Sequence, residues 1–519
     1  MSFFRQGRKI SNWIIKKVWG RKMYLNKVNP YSISKQHRRD KMHILERVQV
    51  LFDKDSFTEY YPDDSIEQGV DQGYDGVITG YGNIFGRRVY FYGQDFTCMG
   101  GTFGYQHSRQ IIAIIKEAIR EKKPIIGIYD GGGARIQEGA ASVAGCGELF
   151  RINALASGYI PQISIIAGTC AGGAVYSPGL TDFVFTIDKI SNMFVTGSKV
   201  INKVQGTDYL IEELGGAKIH AETSGVAHFR MEDERSCYAQ VRKLIDMLPP
   251  CYSEERTFRT DSYRAKDLSD IVTFIPEDVE EPYDVVPVIE EILDDDSFIE
   301  VQKEFAKNIV VGFGQLGGLT VGVVASQTLH KNGSIDVDGA DKAARFVQYC
   351  DCYNIPIITL ADSTGFVMEA EQEYKGLIRH GAKMIQAYAN ATTIRLTVIL
   401  RKAYGGPYIF MGCKQLGADK HYVWPKAQVA VMKAEGAVAV ISSGQLNQLE
   451  GVEKETFLKQ QLEEYRKAYM NSNMVLQRQF VDAEIKPEQT REVLYQDLLR
   501  LTNEAIEERI VKKHPNSPV

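Results

Sequence analysis

The sequence predicts an α/β protein made of two copies of one domain, and three observations carry that prediction. Short apolar runs alternate with helix-period segments in both halves, the pattern of layered α/β folds. Residues 80–92, GYGNIFGRRVYFY, resemble residues 312–324, GFGQLGGLTVGVV, and the same 232-residue offset relates Pro124 to Pro356, Asp130 to Asp362 and Gly133 to Gly365. An apolar run also ends in a glycine pair twice, at Gly172-Gly173 and at Gly405-Gly406, offset by 233 residues. One register held over so many glycines, prolines and aspartates marks an internal repeat of roughly 250 residues per copy, the size of an ordinary domain.

Taken in order, FDKDSFTE (52–59) opens the first copy and DDDSFIE (294–300) is its counterpart. QIIAIIKEAIREK (110–122) repeats apolar residues at helical spacing. IIGIYD (125–130) and IIAGT (165–169) are continuous apolar runs of strand length, as strands buried on both faces require. In the second copy the helix is DKAARFVQYCDCY (341–353), and the strands are IITLAD (357–362) and LTVIL (396–400). The seam falls in residues 253–284, which are polar and carry two prolines; the boundary is expected near residue 260.

With 44% hydrophobic and 24% charged residues, the 519-residue chain has material for two cores. No apolar run approaches the roughly 18 residues of a spanning helix, so no membrane span is expected. The eight cysteines form no CxxC pair and the nine histidines no HExxH, so neither a disulfide framework nor a structural metal is expected. The first 39 residues hold eleven Lys or Arg and no acid, although the whole chain is −5. Ile10, Trp13, Ile14, Val18 and Trp19 fall there at helical spacing. Three readings stand: a helix packed on protein, a mitochondrial transit peptide, or a patch for an anionic surface or nucleic acid. Nothing else in the chain points to nucleic acid. A cytoplasmic location is expected, or the mitochondrial matrix if that segment is a transit peptide.

A glycine pair after a strand lets backbone approach a ligand and lets successive N–H groups converge on one spot, which is how a developing oxyanion is held. The segments around the pairs also carry a resemblance. DGGGARIQEG (130–139), AGGAVYSPGLTDFVF (171–185), GQDFTCMGGTFG (93–104), TSGVAH (223–228), RKAYGG (401–406), LGADKHYVWPKAQVAVM (416–432) and KKHPNSP (512–518) are similar to the carboxyltransferase β subunits of biotin-dependent acyl-CoA carboxylases, most closely the propionyl-CoA carboxylase type. The likeness runs from about Lys35 to Val519. It implies tandem duplicated crotonase-like (ClpP/crotonase) domains: a basic extension over 1–34, an N-terminal acyl-CoA carboxyltransferase domain over 35–262 and a C-terminal one over 263–519.

The resemblance also implies the chemistry. Carboxyl moves from carboxybiotin, carried on a separate protein, to the α carbon of a short acyl-CoA by way of an enolate. Charge develops on the thioester oxygen and on the biotin ureido oxygen, so two sets of donors are wanted. Gly172 and Gly173 would hold the first oxygen, and Gly405 and Gly406 with Pro407 would face the second. Gly100, Gly101, Gly131, Gly132, Gly133, Ala134, Arg135 and Ala174 would line the acyl-CoA side, with Ile409 near the acyl pocket. Gly365, Phe366, Pro407 and Tyr408 would lie on the biotin side. Arg135 and Glu138 have a second reading, an ion pair that orders their loop. The partners implied are a biotin carboxylase, a biotin carboxyl carrier and further copies of this chain in a dimer-based hexamer, since no biotinyl-lysine signature is present. Met368-Glu369 replaces the usual Pro-Gly, Pro407 the usual Ala, and Lys433 the usual Gly. Pro407 has no N–H, so the biotin side is expected to be one donor short. Two alternatives stay open from sequence: a decarboxylase subunit acting on malonyl-type CoA esters, and a non-catalytic acyl-CoA-binding partner.

Overall fold

The computed structural model describes residues 30–60, 75–254, 263–504 and 513–517, so the basic segment up to position 29 lies outside the described residues. The chain divides into two compact units, the first ending at Cys251 and the second running Tyr252–Ser517. Each unit is built on one sheet. In the first, β1(Thr58–Glu59), β2(Val77–Ile84), β3(Arg87–Gln94), β4(Ile125–Gly131), β5(Gln162–Ala171), β6(Phe183–Ile187) and β8(Phe229–Met231) lie side by side in that order, and β7(Asn192–Phe194) pairs with the end of β5. In the second, β9(Ile299–Val301), β10(Ile309–Leu316), β11(Leu319–Ser326), β12(Ile357–Ser363), β13(Arg395–Tyr404), β14(Lys420–Val423) and β16(Ala483–Glu484) repeat that order, with β15(Gln428–Ala430) on β13.

The repeat is kept at the level of single hydrogen bonds. Gly80 pairs with Phe91 and, 232 residues on, Gly312 pairs with Val323. The Pro124 carbonyl accepts from the Tyr90 N–H and the Pro356 carbonyl from the Gly322 N–H, both at 2.8 Å. Both central pairings slip at the same place, between Tyr129 and Gly131 and between Ala361 and Ser363. Such an irregularity re-aims the backbone where a strand leaves the sheet.

Helices cover the sheets with the faces the periodicity predicts. Helix α1(Ile44–Leu51) buries Ile44, Leu45, Val48 and also Arg47. Helix α2(Tyr105–Glu121) buries Ile111, Ile112, Ile114, Ile115 and Ala118, and ends where Lys122 turns left-handed ahead of Pro124. Helix α3(Ala140–Ala156) packs beside α2 and buries Cys146, Leu149 and Ile152. In the second unit, helix α4(Val337–Cys352) starts at Asp336, whose carboxylate accepts from the Gly339 N–H at 2.8 Å, an N-cap of the usual kind. Helix α5(Leu377–Asn390) packs against α4. Strand β13 runs four residues beyond the apolar stretch read from sequence, through Arg401, Lys402, Ala403 and Tyr404, all buried. Two cations look like the end of a strand until their anion, Asp362 on the neighbouring strand, is seen.

Among the described residues no helix is long and apolar enough to cross a membrane, and no group of three or more His, Cys, Asp or Glu is placed to hold a metal ion.

Candidate active site

Both glycine pairs stand where a central strand ends and a short helical turn begins. In the first unit β5 delivers the chain to the turn Gly172–Val175. Gly172 has φ +65°, a left-handed conformation that side chains rarely adopt. The N–H groups at the start of such a turn have no carbonyl one turn back to bond, so they are available to a ligand oxygen. A Cβ added at Gly172 or at Gly173 would meet no protein atom within 4 Å. The turn faces open space, and backbone is what it presents there.

Two loops are folded against this turn. Gly101 and Gly131 are in mutual contact: a Cβ on Gly101 would stand 2.1 Å from the Asp130 carbonyl oxygen, and one on Gly131 would stand 2.1 Å from the Gly101 carbonyl oxygen. The Gly132 N–H donates to the Gly100 carbonyl at 3.2 Å, and Phe103 bridges to Ala134 through bonds of 2.8 Å at each side. Gly133 in turn abuts the Ala171 carbonyl, so the segments 100–103, 131–135 and 171–174 form one cluster.

Arg135 is buried in that cluster and its guanidinium is fully engaged. It reaches Asp75 at 2.6 Å, Glu138 at 2.7 Å and the Thr102 carbonyl at 3.0 Å. Glu138 also accepts from the Tyr105 N–H at 2.6 Å, at the start of α2. Burial, opposed by the carboxylates, lowers His107 to about 4 and keeps it neutral; its Nδ1–H donates to the Asp75 carbonyl at 2.9 Å. The charged residues therefore order the loop, and its glycine backbone is what remains to face outward.

The second unit repeats the arrangement with different contents. A Cβ on Gly333, the counterpart of Gly101, would stand 2.3 Å from the Asp362 carbonyl. Ile335 bridges to Phe366 as Phe103 does to Ala134. The turn is Gly406–Phe410, with Gly405 at φ +59° before it. Here the N–H groups are mostly spent. Gly405 donates to the Ala430 carbonyl at 2.8 Å, Tyr408 donates to the Gly405 carbonyl at 3.2 Å, and Pro407 has none. Gly406 keeps the one backbone donor at this position, above the Phe366 ring, which lies 2.3 Å from where its Cβ would be. Proline in a first helical turn costs only a donor the helix would not have used, so Pro407 removes one N–H and leaves the turn intact. Gly365 faces open space, Ile409 is half-exposed, and Tyr408 donates to Gln415 Oε1 at 2.9 Å. Of the other departures, Lys433 pairs with Glu280 at 2.6 Å and Met368 is almost wholly exposed.

Behind each turn lies a buried aspartate. Asp130 accepts from Lys41 Nζ at 2.5 Å and from Arg47 Nη1 at 3.1 Å, while Arg47 Nε also donates to Glu234 at 2.7 Å. Arg401 Nε contacts Asp362 at 2.8 Å, and the Tyr283 hydroxyl donates to it at 3.0 Å. Burial lowers the Lys41 and Lys402 ammonium groups, and the neighbouring aspartate opposes it in both cases.

A family of carboxyl transferase domains matches residues 35–517. The chain belongs to the carboxyl transferase family. Among curated relatives of this carboxyl transferase, the propionyl-CoA carboxylase beta chain of Roseobacter denitrificans is 44% identical over 497 residues, covering 94% of this chain and 96% of that one. The biotin-dependent acetyl-/propionyl-coenzyme A carboxylase beta5 subunit of Mycobacterium tuberculosis (strain ATCC 25618 / H37Rv) is 42% identical over 520 residues, covering 95% and 93%. A solved transcarboxylase 12S, a hexamer with methylmalonyl-coenzyme A bound, superposes with a TM-score of 0.87 at 40% identity over 95% of both chains. The tandem crotonase-like fold expected from the motifs is thus the fold of the family. The buried ion clusters escaped the sequence reading, although Asp130 and Asp362 stood in the repeat register and Arg401 and Lys402 in a motif.

Proposed function

We propose that this chain performs the carboxyl-transfer step of a biotin-dependent acyl-CoA carboxylase on short acyl-CoA esters of the propionyl or acetyl class. The observation that carries the reading is the open Gly172-Gly173 turn, at which an added Cβ would meet no protein atom within 4 Å. Its N–H groups would hold the thioester oxygen as charge develops on it. The Gly100-Gly101 and Gly131–Ala134 backbone would line the CoA side, with Arg135 holding that loop in shape. Gly406, with Gly365, Phe366 and Tyr408 around it, would face the ureido oxygen. Carboxybiotin, brought by a separate carrier, supplies the carboxyl group and the nitrogen that takes the α-proton. No side-chain base is required, and each backbone donor is worth about 2.7–4 kcal/mol of barrier. The carboxylation reading is preferred to the decarboxylase and non-catalytic readings because the relatives above are carboxylase β chains and a transcarboxylase.

Further copies of the chain and a biotin carboxylase with its carrier are the proposed partners. Each turn has a rim of exposed apolar side chains at matching positions: Ile136 (89% exposed), Tyr176 and Val195 in the first unit, Met368 (98%), Ile409 and Val431 in the second. Apolar rims of this kind are what a second protein surface covers. A sedimentation mass above 58.3 kDa at micromolar concentration is expected; a single-chain mass throughout that range counts against the assembly.

The site is tested by Gly173→Val. Because its Cβ position is empty, valine fits without displacing protein. The variant is expected to fold and to lose calorimetric binding of propionyl-CoA. Unchanged affinity in a folded variant removes the assignment.

A further inference from the structure

Glycines 172 and 173 have no side chains with which to fix their own turn, so the direction of its N–H groups must be set from elsewhere. Four residues after Gly173, Ser177 points inward and is buried. Its hydroxyl donates to Asn153 Oδ1 on α3 at 2.9 Å and lies 2.8 Å from the Tyr129 hydroxyl on β4. Tyr129 lies 2.6 Å from the Tyr92 hydroxyl on β3. Asn153 Nδ2 donates to Gln162 Oε1 at 3.0 Å, and Gln162 returns a bond to the Asn153 carbonyl at 3.0 Å. With the serine proton committed to Asn153, the other two run one way, from Tyr92 to Tyr129 and from Tyr129 to Ser177. The result is a connected polar chain inside an apolar core, costly if any member is lost. Burial pushes Tyr129 up to about 12, so the chain is neutral at working pH.

The second unit shows that the repeat does not need this chain. The counterparts of Tyr92, Tyr129 and Ser177 are Val324, Ala361 and Phe410, and Phe410 meets Phe366 edge-on at 4.8 Å. The same sheet and the same turn stand there without those three hydroxyls. A requirement of the fold would appear twice, so a requirement of the first site is the better account.

We propose that Tyr92, Tyr129, Ser177 and Asn153 are positioning residues for carboxyl transfer, locking the Gly172-Gly173 turn to β3, β4 and α3 so that its N–H groups converge on one oxygen. The inference rests on the reading of that turn as the holder of the acyl oxygen. A misplacement of reacting groups by about 1 Å costs on the order of 10²-fold, so a loosened turn acts on turnover before it acts on affinity.

The test is steady-state transfer from methylmalonyl-CoA to free biotin by the full chain, with Gly173→Val as the control. Ser177→Ala is expected to lower kcat about tenfold with KM within about twofold, Tyr129→Phe less, and Tyr92→Phe, farthest from the turn, least. Ser177→Thr, which keeps the hydroxyl, is expected to recover most of kcat. If Ser177→Ala does not fold, the two tyrosine variants, each lacking one oxygen, decide. Lowered melting temperatures with kcat unchanged in every variant that folds overturn the proposal while leaving the site standing, provided Gly173→Val is inactive. An active Gly173→Val removes the site reading and the proposal together.

Discussion

Asp130 and Asp362 are the same residue in two copies of one domain, 232 positions apart and both without exposed surface, yet their cations arrive from opposite directions. Lys41 and Arg47, the latter on helix α1, reach down to Asp130 from earlier in the chain. Arg401 and Lys402 reach Asp362 from the next strand of its own sheet. The exchange is enforced by space. The counterpart of Arg401 is Gly168, and a Cβ there would stand 2.0 Å from Asp130 Oδ1. The repeat keeps a demand, a compensated buried carboxylate under each glycine turn, and leaves the supplier free. The turns diverge in the same way: hydrogen bonds fix the first and aromatic rings the second, while proline has taken one donor from the second.

Removing the acid is the strongest way to break this comparison. Asp130→Ala strands Lys41 and leaves Arg47 with Glu234 alone, and Asp362→Ala strands Arg401 and Lys402; each is expected to cost about 3–5 kcal/mol in denaturant unfolding. Replacing Asp362, Arg401 and Lys402 together by Leu, Met and Met is expected to cost much less, because no unpaired charge remains. A loss below about 1 kcal/mol for one acid and not the other would show that the two clusters are not equivalent.

Restoring the donor sharpens the comparison between the turns. Pro407→Ala is expected to raise carboxyl transfer between methylmalonyl-CoA and free biotin, by up to about 10²–10³-fold for one full donor. The KM for the CoA ester should hardly move, because that oxygen is assigned to the other turn. A wild-type rate that stays flat or falls on this change means that proline belongs to a rebuilt site.

The smallest effect belongs to a feature of the second unit alone. Asp351, at the end of α4, accepts from His514 Nε2 at 3.0 Å and from Lys513 Nζ at 2.8 Å. Burial raises this carboxyl, but the bonds from His514, Lys513 and the Thr393 N–H outweigh it and hold it well below the usual range. The bond to Asp351 raises His514. The aspartate's contribution is present above its unfolded value of about 3.9 and is lost as pH falls through the depressed folded one. The histidine's is complete below about 6.5 and is lost as pH rises through the raised folded one. The melting difference between wild type and His514→Ala should be largest near pH 5–6 and shrink on the alkaline side. A difference that grows above pH 8 would exclude this pairing.

The sheets and both turns were legible because strands buried on two faces leave continuous apolar runs and because the repeat printed each of them twice. What stayed hidden depends on partners distant in sequence. Arg401 and Lys402 read as a strand end because their anion lies on another strand. Ser177 and Tyr129 read as ordinary core until Asn153 is placed beside them. Arg135 was left with two readings, and only Asp75, sixty residues away, shows how its guanidinium is occupied.

The two aspartates also differ in when they find relief. Lys41 and Arg47 precede Asp130 by 89 and 83 residues, so its cations have left the ribosome before the acid is made. Arg401 follows Asp362 by 39. At about 5–20 residues per second, the second acid waits about 2–8 s for its guanidinium. Until then β12 carries a charge it cannot bury, so the second sheet can close only after β13 is synthesised, whereas the first can close strand by strand as it emerges.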